Sequence, residues 1–377
     1  AIVAMAKPGD YILMPRNIHL SVIRICILAN IKPIFFDLPV DAKTGHYKTI
    51  SKSWFLKVLR EKLLENIKIS GTIFVNPHYQ GYSTDLEPVI EICHQHDIPV
   101  LVDEAHGSYF LFCEDLGLPK SSVRSGADLV VHSLHKSLNG LTQTAILWHN
   151  GNLIKTDNII DSISLLQTTS PSALLLSSCE ESIKDWLDEN NVKNYSKRIS
   201  EARNLYQKLI QSGVPLIMTQ DPLKLVLNTG SVGIDGFTAD DFFYKNGLIA
   251  ELPEMMTLTF CLGFAEHCDF LEIFRKIWLK LLTQIKTKKR LIPFHSPYEF
   301  VQMPKIPPAE AWSMGKTKLP LDQSIGKISA EIICPYPPGI PLMIPGEEID
   351  KNRVDWIQKQ SLFCKDLINS YISVLNI

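Results

Sequence analysis

In its first third, this chain gathers its apolar positions into short runs rather than long stripes. Val100–Val102 and Leu129–Val131 are rich in β-branched residues and too short for a helix. Proline or glycine lies nearby, so each fits a buried strand. Tyr11–Met14, Lys32–Asp37, Gly71–Asn76 and Thr144–Trp148 read the same way. Helical spacing of apolar residues fills the gaps: from His19 to about Ala29, over Ser51–Glu65, and from a Ser83 or Thr84 cap to about His96. Strands alternating with helices predict an α/β protein with a mostly parallel sheet.

Farther along, the pattern changes. Residues 157–212 read as helical over Ile159–Leu166, Ala173–Asp188 and Tyr195–Gln211, with breaks at Thr169-Ser170-Pro171 and Asn190-Asn191. From Pro215, short strands (Lys224–Leu227, Ile249–Glu251, Thr257–Cys261) alternate with helices (Ala239–Lys245, Ala265–Gln284), which predicts a smaller α+β unit. Residues 293–347 are proline-rich, and Val354–Leu375 reads as an amphipathic outer helix. The expected division is 1–212 for the large unit with its bridging helices, 213–290 for the small unit and 291–377 for a C-terminal unit. The opening AIVAMAKPGD reads as the last turns of a helix stopped at Pro8-Gly9, with no cap before it, so truncation upstream is expected.

Composition narrows the class. A hydrophobic share of 45%, a charged share of 21% and a net charge of −2 describe a globular protein with no basis for nucleic-acid or anionic-membrane binding. No apolar run reaches the roughly 18 residues of a spanning helix; Arg24 and Lys32 interrupt the most apolar early segment. The eight cysteines are scattered with no CxxC pair, which predicts reduced thiols in a cytoplasmic setting. His94 and His96 fall on different sides of a helix, and His132 and His135 lack a third ligand at any recognisable spacing. No metal site is expected. The basic run 286–290 reads as a solvated helix end.

Two of the strands end in chemistry. The first delivers Asp103, Glu104 and His106, and the second Ser133, His135 and Lys136. In an open parallel sheet the carboxyl ends of the strands share one edge, where ligands bind. An acid and a lysine can therefore face one crevice. An aldehyde cofactor held as a lysine imine needs an amine that deprotonates readily, a carboxylate facing its pyridine nitrogen, and groups that grip its phosphate. Read alone, an aspartate ending a buried strand is as readily a turn cap, and His19 a helix-start residue.

The wording of these segments adds to the reading. VDEAHG followed by GADLVVHSLHKSLNGLTQTAIL resembles the major domain of the bacterial ornithine/lysine/arginine decarboxylases, pyridoxal-phosphate enzymes of the aspartate-aminotransferase-like fold (fold type I). PGDYILMPRNIHLSV, LLQTTSPSALLLSS and SAEIICPYPPGIPLMIPGE match the same family in order, so the likeness runs from about residue 1 to the C-terminal region.

The resemblance implies that Lys136 carries the Schiff base, that Asp103 pairs with the ring nitrogen and that His106 lies near the ring. It implies Ser133 and His135 by the phosphate, His19 stacked on the ring, and His135 or Lys136 returning a proton to the α-carbon. It places His78 and Tyr79 at the wall, and it suggests a hydroxyl from Thr142 or Thr168 for the phosphate site of a partner subunit. Glu331, just before the PYPPGIP loop, is the candidate for the distal cation of a basic substrate, with Glu347 inside that region. The family's glycine- and Ser/Thr-containing phosphate turn would precede residue 1. The expected activity is decarboxylation of arginine or lysine, less readily ornithine, by a homodimer or larger homo-oligomer. An aminotransferase, or an inactive relative serving as a subunit, is the alternative.

Overall fold

The structure, a computed structural model, describes residues 1–61, 64–112, 116–265, 269–284, 294–335, 339–361 and 370–377. Its frame is a seven-stranded sheet. The strands are β1 (Tyr11–Pro15), β2 (Lys32–Phe36), β3 (Ile69–Val75), β4 (Val100–Asp103), β5 (Leu129–Ser133) and β6 (Ala145–His149). They lie in the order β2-β1-β3-β4-β5-β6, and the short strand 301–302 adds to the outer edge of β2. The pairings from β2 to β5 are parallel, whereas both edge strands run antiparallel.

Alternate residues of the central strands enter two different cores, which is why these strands read as continuous apolar runs. On one face, Leu13, Phe36, Phe74, Val100 and Val130 pack beneath α3 (Lys52–Leu59) and α4 (Glu87–Gln95). On the other, Ile12, Phe35, Ile73, Leu101 and Leu129 pack beneath α1 (Ile2–Met5), α2 (Leu20–Leu28) and α6 (Thr156–Leu166). The one-turn α5 (Leu134–Ser137) follows β5 directly. Each such side chain, taken from water, stabilises the fold by roughly 1.5–3 kcal/mol, so the sheet is the rigid part of the molecule.

Helices α7 (Ala173–Leu187) and α8 (Glu189–Gln211) lead to a four-stranded sheet. It is built from β7 (Leu216–Ile217), β8 (Lys224–Leu227), β9 (Leu252–Pro253) and β10 (Leu258–Cys261), with α9 (Gly236–Lys245) and α10 (Phe270–Gln284) on it. One core joins this sheet to the large one: Leu225, Leu227, Phe260 and Phe274 share a cluster with Tyr109, Phe110, Leu134 and Leu138. After β11 (Val301–Gln302) come α11 (Pro308–Ser313), β12 (Lys316–Pro320), α12 (Lys351–Ser361) and β13 (Tyr371–Leu375).

Several boundaries differ from expectation, each for a local reason. The helix expected to start at Ser83 or Thr84 begins at Glu87, because Asn76 Oδ1 takes the Ser83 hydroxyl at 3.1 Å and the Thr84 N–H at 3.0 Å. Asn190-Asn191 is no break: Asp188 accepts from both backbone N–H groups and caps α8. The helix expected over Ser51–Glu65 ends at Leu59, and the strand expected at Ile249–Glu251 falls at Leu252–Pro253. The helix expected over Val354–Leu375 is described over Lys351–Ser361, and its expected end is not helical. Tyr371–Leu375 instead pairs antiparallel with β12, burying Ile372 and Val374. The basic run 286–290 lies outside the described residues.

The strand pair that carries the candidate site is fixed from below by a buried carboxylate. Glu104, fully buried, accepts from Ser121 Oγ (2.8 Å), Ser122 N (2.9 Å), Ser122 Oγ (3.0 Å) and His132 Nε2 (2.7 Å). Trp148 Nε1, a donor only, gives its proton to His132 Nδ1 at 2.9 Å, so Nε2 carries the hydrogen that faces Glu104. Replacement Glu104→Ala strands these donors in the core and is expected to cost about 3–5 kcal/mol, measured by chemical denaturation. A loss under 1 kcal/mol would show that the network does not hold β4 to β5.

Candidate active site

Four neighbouring strands, β1, β3, β4 and β5, each end in a segment that supplies a residue to one crevice. After β1 comes His19, after β3 Tyr79, after β4 Asp103 and His106, and after β5 Lys136. Asp103 is the last residue of β4 and sits in register between Val75 and Val131. Its Oδ1 accepts from Ala105 N at 3.1 Å, which shapes the turn that carries His106. Gly107 allows that turn to close, since a Cβ there would lie 2.6 Å from Pro77 and 2.9 Å from Phe110.

Lys136 Nζ lies 3.3 Å from His106 Nε2. The His106 ring in turn rests on the Tyr79 ring, with centroids 4.4 Å apart. Tyr79 stands on a loop closed by Asn76, whose Nδ2 donates to Thr84 O at 3.0 Å, and anchored by Gln80, whose Nε2 donates to Glu254 at 3.0 Å. Burial, then the charges of Lys224 and Lys136, hold the His106 pKa well below the ordinary histidine value. His106 is therefore neutral near pH 7 and can accept from the lysine ammonium. Burial also lowers the Lys136 pKa; Asp103 opposes this and Lys224 adds to it. The site thus eases loss of a proton from the Lys136 amine.

The other expected site residues fall in two groups. His19 caps α2, its Nδ1 accepting from Ser21 N at 3.2 Å, and its ring feels both Asp103 and Lys136. His135, next to Lys136 on α5, is held by its Nδ1 against Thr144 O at 2.9 Å. Ser133 precedes α5 without capping it. These residues gather around Lys136.

Elsewhere, Glu331 is held against β13: its oxygens accept from Ser373 N at 2.8 Å and Ser373 Oγ at 3.0 Å. Glu347 is buried against Arg16, at 2.5 Å, and so is structural. His78 Nδ1 donates to Tyr47 O, 3.2 Å away. His94 pairs with Asp128 at 2.9 Å. Thr142 and Thr168 are exposed.

The small sheet contributes residues that sequence reasoning missed. Lys224 opens β8, and in the antiparallel register it stands opposite Cys261; its Nζ donates to Cys261 Sγ at 2.9 Å. The same ammonium lies 5.4 Å above the Tyr79 ring. Glu251 accepts a hydrogen bond from the Tyr79 hydroxyl. Gly81, at φ +95°, lets the Tyr79 loop sit on this unit, since a Cβ there would meet Lys224 at 2.8 Å. No local pattern marks Lys224 or Glu251: each reads as an ordinary charged residue beside a strand.

A lysine, a carboxylate and two imidazoles stand at the carboxyl edge of a mostly parallel sheet that a smaller α+β unit closes, and the class is that of an α/β fold with a second, smaller unit. The solved structures agree. The lysine decarboxylase of Francisella novicida superposes with a TM-score of 0.81 at 17% identity, covering 100% of this chain and 67% of that one. A serine palmitoyltransferase of S. paucimobilis with bound PLP gives 0.56 at 16%, covering 75% of this chain and 70% of that one.

The family model for the Orn/Lys/Arg decarboxylase major domain matches residues 1–218, and that for its C-terminal domain matches residues 294–366. An arginine decarboxylase of Bacillus anthracis is 30% identical over 375 residues, covering 95% of this chain and 74% of the relative, and one of Bacillus subtilis (strain 168) is 30% identical over 379 residues with the same coverage. The chain belongs to the Orn/Lys/Arg decarboxylase family and is a carboxy-lyase. It spans about three quarters of the length of these relatives. Among the described residues, no helix is long and apolar enough to cross a membrane.

The electrostatics make a direct prediction. Removing the Lys224 charge removes a repulsion that disfavours the Lys136 ammonium, so Lys224→Met is expected to raise the Lys136 pKa. Titration of isotopically methylated lysines by NMR, with Lys136→Arg assigning the resonance, measures it. A Lys136 that titrates with the bulk lysines in the unaltered protein, or does not move in Lys224→Met, refutes the coupling.

Proposed function

We propose that this carboxy-lyase removes the α-carboxylate of a basic amino acid, arginine before lysine or ornithine, with pyridoxal phosphate bound at Lys136. The observation that carries the reading is the Lys136–His106 contact at 3.3 Å beside Asp103, at the meeting of β4 and β5. The names of the arginine decarboxylase relatives support the substrate order.

The donor set fits the cofactor. Lys136 offers an amine whose proton is easily lost, Asp103 a carboxylate for a protonated ring nitrogen, and His19 an imidazole for a ring face. Ser133 and His135 flank the lysine and are assigned to the phosphate. When bound, the cofactor supplies an electron sink for the pair left on the α-carbon as carbon dioxide departs. Around that event the chain's own groups act on protons. Neutral His106 takes the hydrogen bond of the Lys136 ammonium and so orients its Nζ. Lys136 or His135 returns a proton to the α-carbon. The Tyr79 ring, packed on His106, keeps water from one side of the crevice.

The reading extends to a homodimer. Leu165 and Leu174, 75% and 69% exposed, stand with Ile160, Leu166 and Leu176 on α6 and α7. An apolar face of this kind marks an interface, and a second copy is the proposed cover. The free cysteines among the described residues suit a reducing, cytoplasmic setting.

With pyridoxal phosphate added, the protein is expected to show an absorbance band from the lysine-bound cofactor and to release carbon dioxide from arginine faster than from lysine or ornithine. Lys136→Ala should lose both band and release. A band without release from any of the three, or a band that survives Lys136→Ala, defeats the proposal.

A further inference from the structure

Strand β2 does not supply the crevice, yet a carboxylate stands at its carboxyl end. Asp37 directly follows β2 and is 9% exposed. Its main chain is committed to the fold: its N–H donates to Phe300 O at 2.8 Å, and its carbonyl accepts from Trp54 Nε1 at 2.9 Å. Its side chain is only partly satisfied. Oδ1 is buried with no hydrogen-bond partner among the described residues. The guanidinium of Arg16, whose charge reaches Asp37, already pairs with Glu347 at 2.5 Å. Burial raises the Asp37 pKa to about 6; the Ser296 hydroxyl, the Leu38 backbone N–H and the Arg16 charge offset this only in part. A buried acceptor left over in this way calls for a donor.

Asp37 lines a cavity of about 320 Å³ that opens among the end of β2, α3 and the segment leading to β11. Its walls are aromatic. The Trp54 and Phe300 rings meet edge to face, with centroids 5.1 Å apart. Phe294 lines it as well, held by its N–H on Ala42 O at 2.9 Å. Apolar walls around one or two polar groups are the make-up of a small-molecule site, and this volume lies near the lower end of their range. A carboxylate among aromatic rings suits a cation, since the ring faces attract positive charge. The Trp54 ring shows this already, with Lys57 Nζ 5.7 Å from its centroid. A metal ion is the poorer match. Asp37 and His295 are the metal-ligating types in the lining, and no group of three such residues could hold an ion among the described residues.

We propose that this cavity is a second binding site, which takes a small alkyl ammonium or guanidinium cation with its N–H groups on Asp37 and its alkyl part against Trp54, Phe294 and Phe300. The donor must carry N–H, because the unsatisfied group is an acceptor. The ligand is an amine rather than an amino acid, because Arg16, the cation that could receive a carboxylate here, is held by Glu347. The site stands apart from the crevice: β1, β3 and β4 lie between β2 and β5, the strand that leads to Lys136. It does not depend on which substrate the crevice takes.

The test uses the cofactor-loaded enzyme labelled with fluorotryptophan and read by fluorine NMR. The chain has six tryptophans, and Trp54→Phe assigns the resonance that reports on the cavity. Butylammonium is expected to shift the Trp54 resonance saturably. Asp37→Asn is expected to weaken that binding about 10- to 100-fold, the worth of a hydrogen bond to a charged group. The other tryptophan resonances should stay in place in this variant, because the main-chain bonds of Asp37 remain. Three further probes are each expected to bind at least about 10-fold more weakly than butylammonium: butanol, which lacks the charge, tetramethylammonium, which lacks the N–H, and norleucine, which adds a carboxylate. A Trp54 resonance that butylammonium does not move, or equal affinity in Asp37→Asn, overturns the proposal. Equal affinity for butanol overturns it too, since the cavity would then be merely apolar. Tetramethylammonium binding as well as butylammonium removes the hydrogen bond to Asp37, and norleucine doing so makes the ligand an amino acid; either result defeats the assignment. Should Asp37→Asn displace the other resonances, the probe series in the unaltered enzyme decides alone.

Discussion

The crevice depends on one buried carboxylate. Glu104 follows Asp103 by one residue, so its side chain points to the opposite face from that of Asp103 and into the core. There it meets a ring of donors from two segments: Ser121 and Ser122, on the approach to β5, and His132, within it. A carboxylate taken wholly from water is costly unless every oxygen is satisfied. Here the satisfied arrangement exists only when β4 and β5 end at the same level. That condition brings Asp103 and Lys136 into one crevice. The same residues that make the strand pair stable therefore set the geometry of the chemistry, and a slip by one residue would remove both.

Above that anchor the electrostatics run in a consistent direction. Two lysines and three imidazoles crowd one edge of the sheet, and their mutual repulsion, added to burial, favours the uncharged forms of Lys136 and His106. Asp103 and, more weakly, Glu251 work against this at Lys136, but they offset only part of it. This crowding makes the Lys136 proton easier to lose than that of an isolated lysine. Lys224 enters from the small sheet, so the electrostatics of the amine depend on the packing of one unit against the other. The shared core of Leu134, Leu138 and Leu225, with Gly81 admitting the close approach, supplies that packing.

What could be read from the amino-acid order follows from range. Asp103, His106 and Lys136 stand at the ends of β-branched runs, and the periodicity of a few residues is enough to place them on one sheet edge. Family wording extended this to His19 and Ser133. Glu251 and Lys224 carry no local mark, because their partners, Tyr79 and Cys261, are distant and the contact is made only when two sheets meet. The same limit explains the C-terminal end. Tyr371–Leu375 takes its conformation from β12, more than fifty positions earlier, and no periodicity within the stretch reveals that partner. Glu104 was legible as a polar residue at a strand end, yet its direction, inward rather than into the crevice, follows from strand alternation that the motif reading passed over.

Residues 293–347, proline-rich, would read as a linker by composition, and the structure shows why they are not one. Glu347 carries its own solution to burial. Desolvation pushes its carboxyl up, but the Arg16 and Arg353 guanidiniums more than offset this, and it lies below the ordinary range. Arg16 directly follows β1 and lies 4.0 Å over the Phe35 ring and 4.4 Å over that of Tyr298. One guanidinium thus joins the end of β1, strand β2 and the proline-rich segment, three residues before His19. Neither charge could stay buried without the other. The segment is held to the carboxyl edge of the sheet by a contact whose removal would leave an unpaired ion in the core, and His19 is placed from the same end of β1 that this contact holds.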